Sequence, residues 1–539
     1  MSDVIDPRTR RRDLLLLALA AALLVLPGIG SRDLWNPDEP RYAEVAREML
    51  ESGQWFVPHL NGEIYSHKPP LLMWLMAASS FVTGGMNEVA ARLPSALALI
   101  AATLATYLLG LSLLGSRRGA LVAAAILATS GRLLWQARVG QIDMLLLALV
   151  AFAVWFWVRG FQEGRPGFYR LFFLFAGFAT LAKGPVGLLP PLFSILVFLW
   201  LTGRKSEIRA MRIPTGLLLW ALPVLLWLVP AGFQGGTEYL HDIVFRQNVT
   251  RYADPWHHFQ PFYYYLGTVP GDFFPWSLLL PGAILLGRKH LTGLARQGWL
   301  FGLVWAAVTI VFFSLSPAKR TVYPLSMFPG LALAVAAVID HLASQARRTK
   351  WLTVPFAAVG AIGLLAVAAL PRVAEKQAEV LAILGDGFLG LVRVLPVLLA
   401  VAGIAAAVWS HRGRPLHAAL TMAAGLALMG LWAFTVVVPR FNVLKTARPL
   451  AAELVARMAP GEAYTIYPRF DAPFVFYSRR WAEVVAGEEE LQAFARRPGR
   501  VWVLAERDDL AKLSAPLPLV EVARGPEPKQ GYVLLTTPP

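Results

Sequence analysis

Long apolar runs separated by short polar breaks dominate this chain. They fall at 13–30, 70–84, 93–114, 119–136, 143–160, 168–182, 184–202, 214–232, 273–287, 298–314, 322–340, 351–371, 390–410 and 416–438. Most approach the roughly 20 residues that a helix needs to cross a bilayer. The run 70–84 is short, follows the sequence KPP and ends in TGG, which predicts a helix lying in or dipping into the membrane interface. Setting it aside leaves about thirteen transmembrane helices. The run 13–30 follows a basic stretch, yet it is long for the apolar part of a signal peptide and is read as a retained first span.

Beyond Phe441 the pattern changes. AYTIYP, PFVFYS, RVWVLAE, LVEVAR and GYVLLTT read as strands, each bounded by Gly, Pro or charge, with helical stretches near Arg448–Met458 and Glu488–Arg496 between them. The expected fold is an all-α polytopic membrane domain over 1–440 followed by a small soluble α/β domain over 441–539. The first external loop, 31–92, is expected to carry interfacial helices.

Charge sets the expected sidedness. The net charge of +16 sits in short clusters between apolar runs, among them RTRRR, GRKSEIRAMR, GRKH and HRGR. With the N-terminus inside, every such cluster falls on the cytoplasmic side, as the positive-inside rule requires. Loops 31–92, 137–142, 233–272 and 315–321 and the C-terminal region then face outward. Basic residues are not interleaved with base-stacking aromatics, which argues against nucleic acid. The chain has no cysteine, so disulfides and thiolate metal sites are excluded.

The outward loops collect the polar chemistry. The first gives Asp38, Glu39, Arg41, Tyr42, Tyr65, His67 and Lys68. ARVGQIDMLL gives Arg138, Gln141 and Asp143, and LAKGPVGLLP gives Lys183. The loop 233–272 gives Arg246, Asn248, Arg251, Tyr252, His257 and His258, and SPAKRTVYPLSMFP gives Lys319, Arg320 and Tyr323. A charged group at membrane depth is costly and marks a site or pathway, although any one of these alone could be a snorkelling interfacial side chain.

Together they suit glycosyl transfer from a lipid-linked sugar phosphate. Negative charge grows on a polyprenyl phosphate as it leaves, and Lys68, Lys183, Arg251 and Lys319 are the expected cations around it. Asp38 is the expected base and the carboxylate nearest the anomeric carbon, with Asp143 orienting a cation or the sugar. No nucleotide-binding loop appears, which favours a lipid-linked donor. His67 and His258, with Glu39 or His257, form a candidate zinc site in a structural role; no cofactor is expected to be required. A transporter or flippase of lipid-linked sugars is the alternative from another class. Its expected mark, two related halves with matching broken helices, is absent from the sequence.

NPDEPRYAE, YSHKPPL, ARVGQIDMLL, LAKGPVGLLP and SPAKRTVYPLSMFP resemble the bacterial aminoarabinose transferases of the ArnT type. These are GT-C glycosyltransferases related to protein O-mannosyltransferases. The resemblance covers about residues 31–330. It implies a periplasm-facing cavity in the bacterial inner membrane that moves 4-amino-4-deoxy-L-arabinose or a similar sugar, with inversion, from undecaprenyl phosphate to the phosphate of lipid A, the anchor of lipopolysaccharide. A related glycolipid or a protein hydroxyl would be the other acceptors, and the protein would act as a monomer. Carried over by motif, Asp38 is the key carboxylate with Arg41 and Tyr42 beside it. Tyr65 and Lys68 meet the donor phosphate, and Asp143, Lys183, His258 and Tyr323 line the cavity. The family pattern typically has an acidic residue before the first-loop lysine, where this chain has His67.

Overall fold

The structure, a computed structural model, describes residues 5–250, 252, 259–525 and 531–538. Among them, eight helices are long and apolar enough to cross a bilayer, and up to nine if the bent pair Tyr264–Asp272 and Trp276–His290 forms one span. The expectation of thirteen is not reached on this measure. Each remaining predicted run does contain helix, including α1 (Pro7–Val25), Arg117–Ala128, Pro166–Lys183 and Leu189–Leu201. They fall short in length or apolarity, because basic residues, Gly and Pro interrupt them.

Three helices build the first loop region: α2 (Glu39–Ser52), α3 (Leu71–Thr83) and α4 (Glu88–Leu114). Pro40 opens α2 with a preset φ, and Gly53 ends it at φ 72°. At 13 residues, α3 is about 20 Å long and too short to span. Asn87 caps α4 by accepting from the amides of Val89 and Ala90, each at 3.0 Å. Between α2 and α3 the short strands β1 (His59–Leu60) and β2 (Glu63–Ile64) form a hairpin.

The largest apolar core lies among the long helices. A separate cluster joins α2 and α3 to Ile142, Leu145 and Phe476. Glycines allow backbones to meet where helices Lys350–Lys376 and Phe388–His411 pack, since a Cβ on Gly403 would lie 2.3 Å from the Gly360 nitrogen. Large apolar side chains such as Leu218, Leu226, Leu365 and Val401 remain exposed on outer helix faces, as lipid contact demands.

The C-terminal region holds a five-stranded sheet in the order β4 (Glu483–Val484), β3 (Ala463–Tyr467), β5 (Val501–Glu506), β7 (Tyr532–Thr536), β6 (Val520–Arg524). β3 runs parallel to β4 and β5, while β7 is antiparallel to β5 and β6. Apolar clusters cover both faces of the sheet. One expected strand is a helix: PFVFYS lies in Ala472–Ser478, with Pro473 in its first turn. Residues 472–476 are all buried, so the run shows no two-residue alternation.

Candidate active-site cavity

Two adjacent carboxylates at the start of α2 set up the site. Glu39 is buried. Its Oε1 accepts from Arg92 Nε at 2.6 Å and from the Gly140 amide at 3.0 Å. Its Oε2 accepts from Arg92 Nη2 at 3.0 Å, Arg32 Nη1 at 2.9 Å and the Trp35 amide at 3.3 Å. Burial alone would push its carboxyl up, but the Arg92 and Arg32 guanidiniums hold it down at about 2. Arg92, itself fully buried, also donates to the carbonyls of Ile29, Arg32 and Asp33, each at 2.8 Å. One knot therefore joins the first loop, α4 and the turn at Gly140.

Asp38, one residue earlier, starts α2 but its side chain caps no amide. Its Oδ2 instead accepts from Arg320 Nη2 at 3.0 Å and Gln141 Nε2 at 2.9 Å, and Arg41 Nη1 lies 3.8 Å from Oδ1. Burial opposes the Arg320 charge, yet the Asp38 carboxylate outweighs it and raises the pKa of the guanidinium.

Asp143 sits in the first turn of the helix Ile142–Glu163, and Lys183 in the last turn of Pro166–Lys183. Each charge is on the end of its helix that the helix dipole favours. The two form an ion pair, and Lys183 Nζ stands 4.7 Å from the centre of the Tyr323 ring. Tyr65 and His67 place their rings 5.0 Å apart. Burial, and then the Asp38 charge, push the Tyr42 phenol far above its ordinary pKa, so it remains a donor.

These side chains line one cavity of about 370 Å³: Asp38, Arg41, Tyr42, Tyr65, His67, Lys68, Asp143, Lys183, Arg320 and Tyr323, with Pro37, Ile142, Gln247 and Val322. Four cations and two carboxylates leave it formally at +2, so it suits an anionic ligand.

Not every expected residue arrives there. Lys319 is 3% exposed and is not among the lining residues; its ammonium donates to the carbonyls of Gln260 at 3.0 Å and Ser316 at 2.6 Å. It pins the segment at Gln260 to the turn before Tyr323, and its neighbour Arg320 supplies the cavity cation. Arg138 is buried, bonds the Leu24 carbonyl and lies 4.4 Å over the Phe434 ring. Glu39 is consumed by arginines and is not free to bind metal. Arg251, His257 and His258 lie outside the described residues. Among the described residues no three His, Asp or Glu converge as metal ligands, so the zinc expectation gains no support.

The sequence reading missed Arg92 and the roles of Gln141 and Arg320. Arg92 had one signal, a charge at the very edge of the apolar run 93–114.

A stack of apolar helices whose ends enclose a polar cavity beneath a sheet-bearing C-terminal region is a GT-C glycosyltransferase fold. In sequence and fold the chain is similar to transferases of the ArnT type and, over part of its length, to protein O-mannosyltransferases. Residues 12–245 match the family model of dolichyl-phosphate-mannose-protein mannosyltransferases. The chain is similar to the undecaprenyl phosphate-alpha-4-amino-4-deoxy-L-arabinose arabinosyl transferase of Pectobacterium carotovorum, 32% identical over 365 residues. That match spans 66% of this chain and 64% of the relative, so about a third of the relative's length lies outside it. An uncharacterised protein of Aquifex aeolicus is 28% identical over 344 residues, covering 64% of this chain and 66% of that one. In fold, the chain matches the crystal structure of ArnT from Cupriavidus metallidurans bound to undecaprenyl phosphate with a TM-score of 0.83. That match covers 97% of this chain and 98% of the other at 22% identity. The oligosaccharyltransferase of Archaeoglobus fulgidus shares the fold more distantly, with a TM-score of 0.52 at 11% identity over 92% of this chain and 69% of that one.

Proposed function

We propose that this protein is an integral-membrane glycosyltransferase that moves 4-amino-4-deoxy-L-arabinose, or a similar sugar, from undecaprenyl phosphate to lipid A or a related glycolipid. The cavity of +2 formal charge, placed where several helix ends meet in an ArnT-like fold, carries this reading. The bond from the anomeric carbon to the phosphate oxygen breaks, and its electron pair stays on the polyprenyl phosphate. Arg41, Lys68, Lys183 and Arg320 stabilise that growing charge away from bulk water. An acceptor phosphate oxygen attacks the anomeric carbon from the opposite face, which inverts it. Asp38 faces the oxocarbenium-like carbon and takes the proton where the acceptor oxygen is protonated. Asp143 keeps Lys183 in place, while Tyr42, Tyr65 and Tyr323 position the sugar phosphate.

The basic clusters and the long apolar helices support an inner-membrane location with the cavity and the region 441–539 on the periplasmic side. The 441–539 sheet forms a domain of its own in this reading, set on the helical domain 1–440. The protein acts as a monomer.

The test supplies purified protein with radiolabelled undecaprenyl-phosphate aminoarabinose and lipid A. Label should reach lipid A and stay on the donor in Asp38→Asn and Lys68→Ala. Donor lipid crossing vesicle membranes in both variants, with no label transferred to any acceptor, would sink the transferase and install the transporter.

A further inference from the structure

A second cavity, of about 340 Å³, opens between the first loop and the C-terminal region. Its lining includes Trp35, Asn36, Lys445, Asp471, Glu506 and Tyr532. Asn36 Nδ2 donates to Asp471 Oδ1 at 2.5 Å and ties the two regions together. Asp471 is 8% exposed, and burial raises its pKa although Asn36 and Tyr532 donate to it. The Tyr532 ring is held edge-on against Phe474, with centroids 4.7 Å apart.

The charge of this cavity is opposite to that of the first. Two carboxylates and one ammonium leave its lining formally at −1, and the exposed Arg469 stands 3.9 Å from Glu506. A phosphate meets less attraction there than in the first cavity. Carboxylates that accept hydroxyls, with a tryptophan and a tyrosine in the same lining, match a phosphate-free sugar ring, whose C–H faces pack on aromatics. The two cavities also share a wall: Asn36 lines this one, while Pro37 and Asp38 line the cationic one. Asn36 and Asp38 are two residues apart, so their Cα atoms lie within about 7 Å.

We infer that this junctional cavity binds the hydroxyl-rich saccharide body of the acceptor glycolipid, while the cationic cavity takes the phosphates. The acceptor identity rests on the transferase reading; the saccharide site does not. Opposite charges sort the two parts of one amphipathic ligand and set its reacting oxygen beside Asp38.

The test titrates the full-length protein in detergent with the deacylated, dephosphorylated glucosamine disaccharide, read by calorimetry and by tryptophan fluorescence. Saturable binding is expected. Glu506→Gln and Tyr532→Phe, each checked for an unchanged unfolding midpoint, should weaken it about tenfold. Lys68→Ala should leave it intact. Absence of binding would overturn the proposal, as would binding that survives in E506Q and Y532F but disappears in K68A. Labelled transfer to lipid A continuing without disaccharide binding would remove this site and keep the transferase. Binding without transfer would keep the site and remove the transferase.

Discussion

Asp38 and Glu39 are neighbours in sequence, yet they sit in opposite environments. The Glu39 carboxylate accepts five hydrogen bonds and is not among the lining of the +2 pocket, while the Asp38 carboxylate lines it and bonds only side chains. The first arrangement is how a protein keeps a buried charge without instability, by pairing it completely. The second keeps a carboxylate oriented but available. The lesson is that the site's rigidity comes from the residue beside the one that lines the cavity. A knot that binds Arg32, Arg92 and Gly140 leaves Asp38 little room to drift.

The comparison breaks most sharply at Glu39. Glu39→Gln leaves two buried guanidiniums short of their counter-charge and should cost about 3–5 kcal/mol of stability, seen as a lower unfolding midpoint and poor yield. The sign of its pH dependence follows from a folded value of about 2 against the ordinary 4.5. The Glu39 contribution is complete above about 4.5 and is lost as pH falls through about 2, so the gap between parent and variant should narrow in acid. Asp38→Asn should do the reverse. Its unfolding midpoint should stay within about 1 kcal/mol of the parent, while transfer falls by about 10²–10³ in single-turnover assays.

Glu44 sharpens the contrast further along α2. It is buried with Arg47 as its ion-pair partner, one oxygen lacks a hydrogen bond, and burial pushes its carboxyl up to about 7. A raised value means that protonation favours the fold, so its contribution is complete below about 4.5 and fades as pH rises through about 7. Glu44→Gln should flatten that slope, removing on the order of 1–3 kcal/mol of the stability change between about pH 5 and about pH 8. The smallest effect belongs to Lys319→Met. It should lower stability by about 1–2 kcal/mol through two lost carbonyl bonds and change transfer less than Arg320→Met does, as steady-state rates would reveal.

Much of the pocket was legible because each residue sits at the outer end of a hydrophobic run, where a polar group has few innocent reasons to be. Asp38, Lys68, Asp143 and Lys183 needed only that argument. Arg320 was not separable from Lys319, since adjacent side chains of an irregular turn point apart and no period says which faces inward. Arg92 pairs with Glu39 across 53 residues, and hydropathy carries no information on such a link. The helical residues 472–478 escaped for a related reason: a short run buried on every side has no period to read. The number of spans stayed open because the shorter helices carry charges and prolines that serve packing and the pocket rather than the lipid.

The seam between the loop that carries Asp38 and the C-terminal region is sewn by specific pairs. Asn61 exchanges two bonds with the backbone of Ala482, each at 2.8 Å, and Tyr477 accepts from the Leu34 amide at 2.7 Å. Asp33 accepts from Asn442, Thr446 and Arg448. A chimera that replaces residues 441–539 with those of a relative would therefore inherit mismatched stitches unless Asp33 and Asn61 were exchanged with them. Any drift of the C-terminal region is tethered to the loop that carries Asp38.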